Sequence, residues 1–198
     1  MHSEAIAVHE HHHETDSVDV FGFWLYIMTD CILFGCLFAT FLVLNFPGSP
    51  GPELKTYLKL SDVLLETFFL LASNFTFCLA ILNLYQTKLF RVQLWLAISF
   101  LLGGSFIFME VTEFAHLANE GFRWDVSGKA SSFFTLVGTH GLHVSCGLVW
   151  ILLMIMQLPL LKDVYVARRR MTYLGLFWNF LDIVWIFVFT IVYLMGAM

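Results

Sequence analysis

Charge is scarce in this chain of 198 residues: 13% of it is Asp, Glu, Lys or Arg, whereas an ordinary soluble domain carries about 25%. So few charges cannot solvate a globular surface. A net charge of −5 with only 10 basic residues also leaves no positive face for a nucleic acid partner. Cysteine is nearly absent as well. Cys31, Cys36, Cys78 and Cys146 each lie in an apolar run without Cys-x-x-Cys spacing, which excludes a disulfide framework or a cysteine metal site and predicts small buried hydrophobes. The four prolines, Pro47, Pro50, Pro52 and Pro159, fall between the apolar runs. That excludes the broken, proline-interrupted half-helices from which many transporters build their sites. No basic segment with a cleavage site precedes the first long apolar run, so no signal peptide is expected.

What the chain does have is hydrocarbon. It is 59% hydrophobic, holds 22 phenylalanines and has a mean hydropathy of +0.80. Five apolar segments, near 21–46, 63–85, 92–117, 130–158 and 172–194, are each long enough to cross a bilayer at 1.5 Å per residue. The predicted fold class is therefore all-α, an integral membrane bundle of five transmembrane helices. Residues 1–20 form a polar, His-rich tail ahead of the bundle at 21–198. The tail includes His9-Glu-His-His-His13, and its composition predicts disorder rather than a metal site. Ser61 or Asp62 can cap the second helix, and Pro47 to Pro52 reads as a loop.

The stretch Ser132 to Trp150 organises the rest. At about 100° per residue, His140, His143 and Gly147 share one side of a helix, and Gly138, Gly141 and Ser145 lie almost opposite. Small residues let a second backbone approach closely, and imidazoles in hydrocarbon need company, so this helix should be packed on two faces as the hub of the bundle.

Asp30, Glu66, Glu110, Glu113, His140, His143 and Asp182 lie within the predicted spans, with His116 at a surface. A charged group facing lipid at the midplane costs about 2.5–3.5 kcal/mol, so these side chains should form an intramembrane polar network facing the bundle. By depth, Glu66, Glu110, Glu113 and His140 belong to one half of the membrane and Asp30 and Asp182 to the other. Glu110 and His140, on consecutive antiparallel helices, are expected to pair. From these residues alone three readings stand: a haem or metal site, a carboxylate-based proton transporter, and a structural network that holds helices or a neighbouring subunit in register. Axial haem ligation wants imidazoles from both sides of the ring, which two histidines on one helix face do not supply. No metal or redox cofactor is expected in the chain itself.

Two motifs carry a resemblance. Phe133-Phe-Thr-Leu-Val-Gly-Thr-His-Gly-Leu-His-Val-Ser-Cys-Gly147 resembles the Gly-x-His-Gly-x-His-Val-x-x-Gly signature of subunit III of the haem-copper oxidases. Phe177-Trp-Asn-Phe-Leu-Asp-Ile-Val-Trp-Ile-Phe187 is similar to that family's Trp-His-Phe-x-Asp-x-Val-Trp segment, with Asn179 where the family has histidine. Gly22 to Asp30 resembles the helix that holds the family's membrane carboxylate, and the context of Glu113 matches as well. The resemblance runs from about Phe21 to Met198, and the two ends look most like the ubiquinol-oxidising, cytochrome bo-type branch. Close alternatives are a cytochrome c oxidase subunit III or an accessory protein of a related nitric oxide reductase.

The resemblance implies a non-catalytic subunit of a quinol-oxidising, oxygen-reducing proton pump in a bacterial inner membrane. It implies haems and copper in the partner subunit I, contacts with subunits I, II and IV, bound phospholipid, and no nucleic acid. It also implies that Asp30 faces subunit I near proton entry. Loop charges favour a cytoplasmic N-terminus and a periplasmic C-terminus, chiefly through Arg168, Arg169 and Arg170, which are also candidate lipid headgroup contacts.

Overall fold

A computed structural model describes residues 2–45, 60–86, 88–159 and 164–194. Five α-helices follow in order: α1 His2–Leu44, α2 Leu60–Tyr85, α3 Leu89–Asn119, α4 Gly128–Gln157 and α5 Val164–Val188, the last running into a π-helical segment, Phe189–Leu194. Each carries a stretch long and apolar enough to cross a membrane: 20–44, 61–85, 89–119, 128–157 and 165–194. The all-α, five-span reading holds, and no strand occurs among the described residues. The Pro47–Pro52 loop lies outside them.

Three boundaries differ from the sequence expectation. The helix α1 begins at His2, because neither proline nor glycine interrupts the chain before Gly22. Ser61 and Asp62 lie inside the first turn of α2 instead of capping it. Arg168, Arg169 and Arg170 sit within α5, eight residues before its expected start, since Val164 to Met171 lacks a helix breaker and long basic side chains can reach the headgroup layer from a helix end.

The chain divides into two compact units, residues 1–36 and 37–198. In the second, α2 packs on α3 and α5, and α4 packs on the same two helices, closing a four-helix ring. Serines join α2 to α3: Ser73 and Ser99 are both fully buried, and each hydroxyl donates to the other's backbone carbonyl at 2.9 Å. This reciprocal pair satisfies two polar groups where water is absent.

On α4 the two faces separate as the helical period requires. Gly138 and Gly141 turn to α3, where added Cβ atoms would meet Phe114 and Glu110; Gly147 turns to α5, where one would meet the Trp178 ring at 2.7 Å. Gly103 on α3 approaches the same indole, with a built Cβ 3.2 Å from it and 2.9 Å from Leu148. Trp178, 1% exposed, thus occupies the space two side chains would have filled. The expectation of one hub is corrected in one respect. The α5 span buries 50% of its most apolar window against 39% for α4, because its tryptophans reach into the ring while α4 supplies the gaps.

Gly147→Ala is expected to destabilise the assembled protein by about 1–3 kcal/mol through overpacking against Trp178. Gly104→Ala, where a Cβ would meet nothing within 4 Å, should leave the thermal midpoint unchanged or slightly raised.

Candidate functional site

Asp62 and Glu66 lie one turn apart on α2, and Met109, Thr112, Glu113 and His116 follow an i, i+3, i+4, i+7 stripe on α3, so each set shares a face. Together with Leu117 they line a cavity of about 250 Å³ where α2 begins and α3 ends. Glu66 is 1% exposed, and its Oε2 takes no hydrogen bond from any described residue. Glu113 accepts from Tyr193 Oη at 3.5 Å. The π-helical segment carries that tyrosine, and such wide turns recur where a helix must redirect a functional side chain. Glu66, Glu110, Glu113 and Tyr193 lie close enough to interact electrostatically.

Glu110 is buried behind the cavity, with its carboxylate against the Cα face of Gly141 and neither oxygen hydrogen-bonded to a described residue. The expected Glu110–His140 pair is not formed. Depth places the two residues level, but position 140 is turned about 100° from 141 around α4. His140 therefore faces α5, stacked on Trp185 with ring centroids 5.1 Å apart and with Phe106 edge-on at 6.0 Å. Trp185 is itself fixed by donating Nε1 to Thr67 Oγ1 of α2 at 3.0 Å. His143 donates from Nδ1 to the Thr139 carbonyl of its own helix at 2.8 Å. Among the described residues, no three His, Cys, Asp or Glu side chains are grouped to hold a metal, so these histidines do not fit a haem or copper ligand set.

This geometry, carboxylates and imidazoles built into helix packing around the two motifs of α4 and α5, has known counterparts. The chain matches the family described as cytochrome c oxidase subunit III over residues 1–197. It belongs to that family. Similar relatives include the cytochrome bo(3) ubiquinol oxidase subunit 3 of Pseudomonas putida, 50% identical over 186 residues that cover 94% of this chain and 90% of the relative. The subunit of the same name in Pseudomonas aeruginosa is 50% identical over 190 residues, covering 96% and 91%. The cytochrome c oxidase subunit 3 of a Bacillus species, strain PS3, is 41% identical over 176 residues, covering 88% and 84%. Subunit III is one member of a multi-subunit terminal oxidase, so partner subunits follow from the family.

Within this subunit III chain the departure at Asn179 has a local counterpart. Asn74 of α2 donates Nδ2 to Asn179 Oδ1 at 2.8 Å, with Asp182, 4% exposed, beside Asn74. This amide group lies about 12 Å deeper along α2 than Glu66 at 1.5 Å per residue, so the polar side chains form two separate tiers. Asp30, on α1, is 7% exposed. The arginines engage neighbouring helix ends: Arg168 lies 5.2 Å over the Tyr85 ring, Arg169 6.0 Å from Tyr173, and Arg170 donates to Gln157 Oε1 at 2.7 Å. All four cysteines are exposed on helix surfaces, correcting their expected burial: an apolar run can face lipid as readily as protein. Tyr193 and Asn74 were not singled out by sequence, and the available signal was their depth, level with Glu113 and Asp182.

A double-mutant cycle with Asn74→Ala and Asn179→Ala should give a coupling of about 0.6 kcal/mol, and no more than about 1.7, the range for hydrogen bonds between membrane helices. Thermal denaturation of the four forms measures it.

Proposed function

We propose that the chain is subunit 3 of a cytochrome bo-type ubiquinol oxidase. The observation that carries this reading is 50% identity along nearly the full length to two Pseudomonas proteins bearing that name. In it, ubiquinol oxidation, oxygen reduction to water and proton translocation run on the haems and copper of subunit I. This chain supplies packing: it binds subunits I, II and IV, holds phospholipid and supports proton uptake, with no redox step on its own side chains.

The structure supports a scaffold in two ways. Its ionisable side chains are folded into helix contacts: Glu113 accepts from Tyr193, His140 stacks on Trp185 and Asp182 adjoins the Asn74–Asn179 pair. Its outer surface is strongly apolar, with Phe68, Phe75, Phe90, Leu101 and Phe108 all exposed, as a face covered by lipid or other membrane subunits requires. Phe68 offers such a surface to an acyl chain, whereas Phe41 is buried and Phe38 packs on Phe187, so these two serve the bundle. Asp30 is assigned the family's membrane carboxylate role towards subunit I. Arg168, Arg169 and Arg170 lie at headgroup level on the cytoplasmic side of a bacterial inner membrane, with the N-terminus inside and the C-terminus outside. A second reading, subunit III of a cytochrome c oxidase, draws on the 41% identical Bacillus relative.

Purification of the tagged chain in mild detergent should recover a haem-bearing complex that consumes oxygen with ubiquinol and not with reduced cytochrome c. Oxygen uptake with cytochrome c alone would establish the second reading, and recovery of a lone colourless chain would contradict both.

A further inference from the structure

The cavity between the start of α2 and the end of α3 has no part in that reading. Its polar wall is acidic, formed by Asp62, Glu66 and Glu113 with the Thr112 hydroxyl, and Met109 and Leu117 supply an apolar wall. Among the described residues no lysine or arginine lines it, and the one basic group, His116, leans 3.6 Å from Glu120 at the rim. The other ionisable groups that approach are Glu110 of α3 and Tyr193 of the π-helical segment. A carboxylate buried as fully as Glu66, with Oε2 lacking a hydrogen-bond donor, costs free energy until a donor or a positive charge reaches it.

The donor set suits one kind of cation better than another. The carboxylates come from two helices and do not converge as a metal cage: no trio of His, Cys, Asp or Glu among the described residues is so placed. An ammonium has three donors that can be shared among separated acceptors, and a short methylene stem on it would rest against Met109 and Leu117. Position agrees with this. Asp62 lies one residue inside the start of its span and His116 three residues before the end of its own, so the cavity opens at headgroup depth.

We propose that this cavity binds a primary ammonium group, with Glu66 and Glu113 as its acceptors and Asp62 at the entrance. An ethanolamine phospholipid headgroup and a free alkylamine share that chemistry.

The test uses the whole oxidase complex in nanodiscs of phosphatidylglycerol, alone or mixed with phosphatidylethanolamine or phosphatidylcholine, read by thermal midpoint and by native mass spectrometry of retained lipid. The expected result is a higher midpoint and one additional retained ethanolamine lipid, with no such gain from phosphatidylcholine, whose quaternary nitrogen has no N–H. Both effects should be lost in Glu66→Gln. Asp62→Asn, at the exposed rim, should weaken them and serves as the second variant should the buried change disturb folding. Free ethanolamine reproducing the stabilisation in phosphatidylglycerol would support the site with a soluble amine as occupant; its failure beside a lipid effect would identify the headgroup. Equal retention by wild type and both variants would overturn the proposal. So would a full effect from sodium in place of choline chloride without any amine, which would assign an inorganic cation.

Discussion

The indole of Trp178 stands in for two absent side chains. Gly103 on α3 and Gly147 on α4 approach it so closely that a methyl at either would collide with the ring or with Leu148. In lipid, helices gain little by hiding leucine, since hydrocarbon surrounds them either way, so association depends on close packing and on polar groups finding partners. A tryptophan seated on two glycines answers the first need for three helices at once. Its position also explains why α5 and not α4 is the most deeply buried span.

The second need sets the layout of polar side chains. Each lies where a neighbouring helix can receive it: the serine pair between α2 and α3, the amides between α2 and α5, and the indole of Trp185 on Thr67. The same arrangement keeps His140 in place, since the ring it stacks on is itself anchored to α2. The carboxylates behave differently. Glu66, Glu110 and Glu113 gather near one membrane surface with a tyrosine as their hydrogen-bonding neighbour, and the cavity beside them is the one polar concavity described in the bundle that retains acceptor capacity.

Much of this was legible in the residues, and the part that was not has a geometric cause. Helical periodicity separated Gly138 and Gly141 from His140 and Gly147, and the structure sends the two sets to α3 and α5. Spans followed from hydropathy alone. Depth along a helix also follows from counting residues, which is why Glu66, Glu110 and Glu113 were grouped correctly. Azimuth does not, and a single residue step sent Glu110 to Gly141 while His140 turned away. The Asn74 partner of Asn179 required knowing that α2 and α5 are adjacent, a fact of topology that no local pattern contains. Arg168 to Arg170 read as a loop because charge lowers hydropathy, yet charge does not break a helix. The π-helical turn that delivers Tyr193 to Glu113 has no marker in Phe189 to Leu194.

The claim that shared volume between Trp178 and its glycines holds α3, α4 and α5 together is tested most directly by compensation. The Gly147 Cβ position faces the six-membered part of the indole, which phenylalanine in place of tryptophan would withdraw. Thermal midpoints of the assembled complex should be measured for Gly147→Ala, Trp178→Phe and the double variant. The account predicts that Trp178→Phe, destabilising alone, restores part of what Gly147→Ala loses, so that the double variant is more stable than the sum of the two changes. Strict additivity would contradict it.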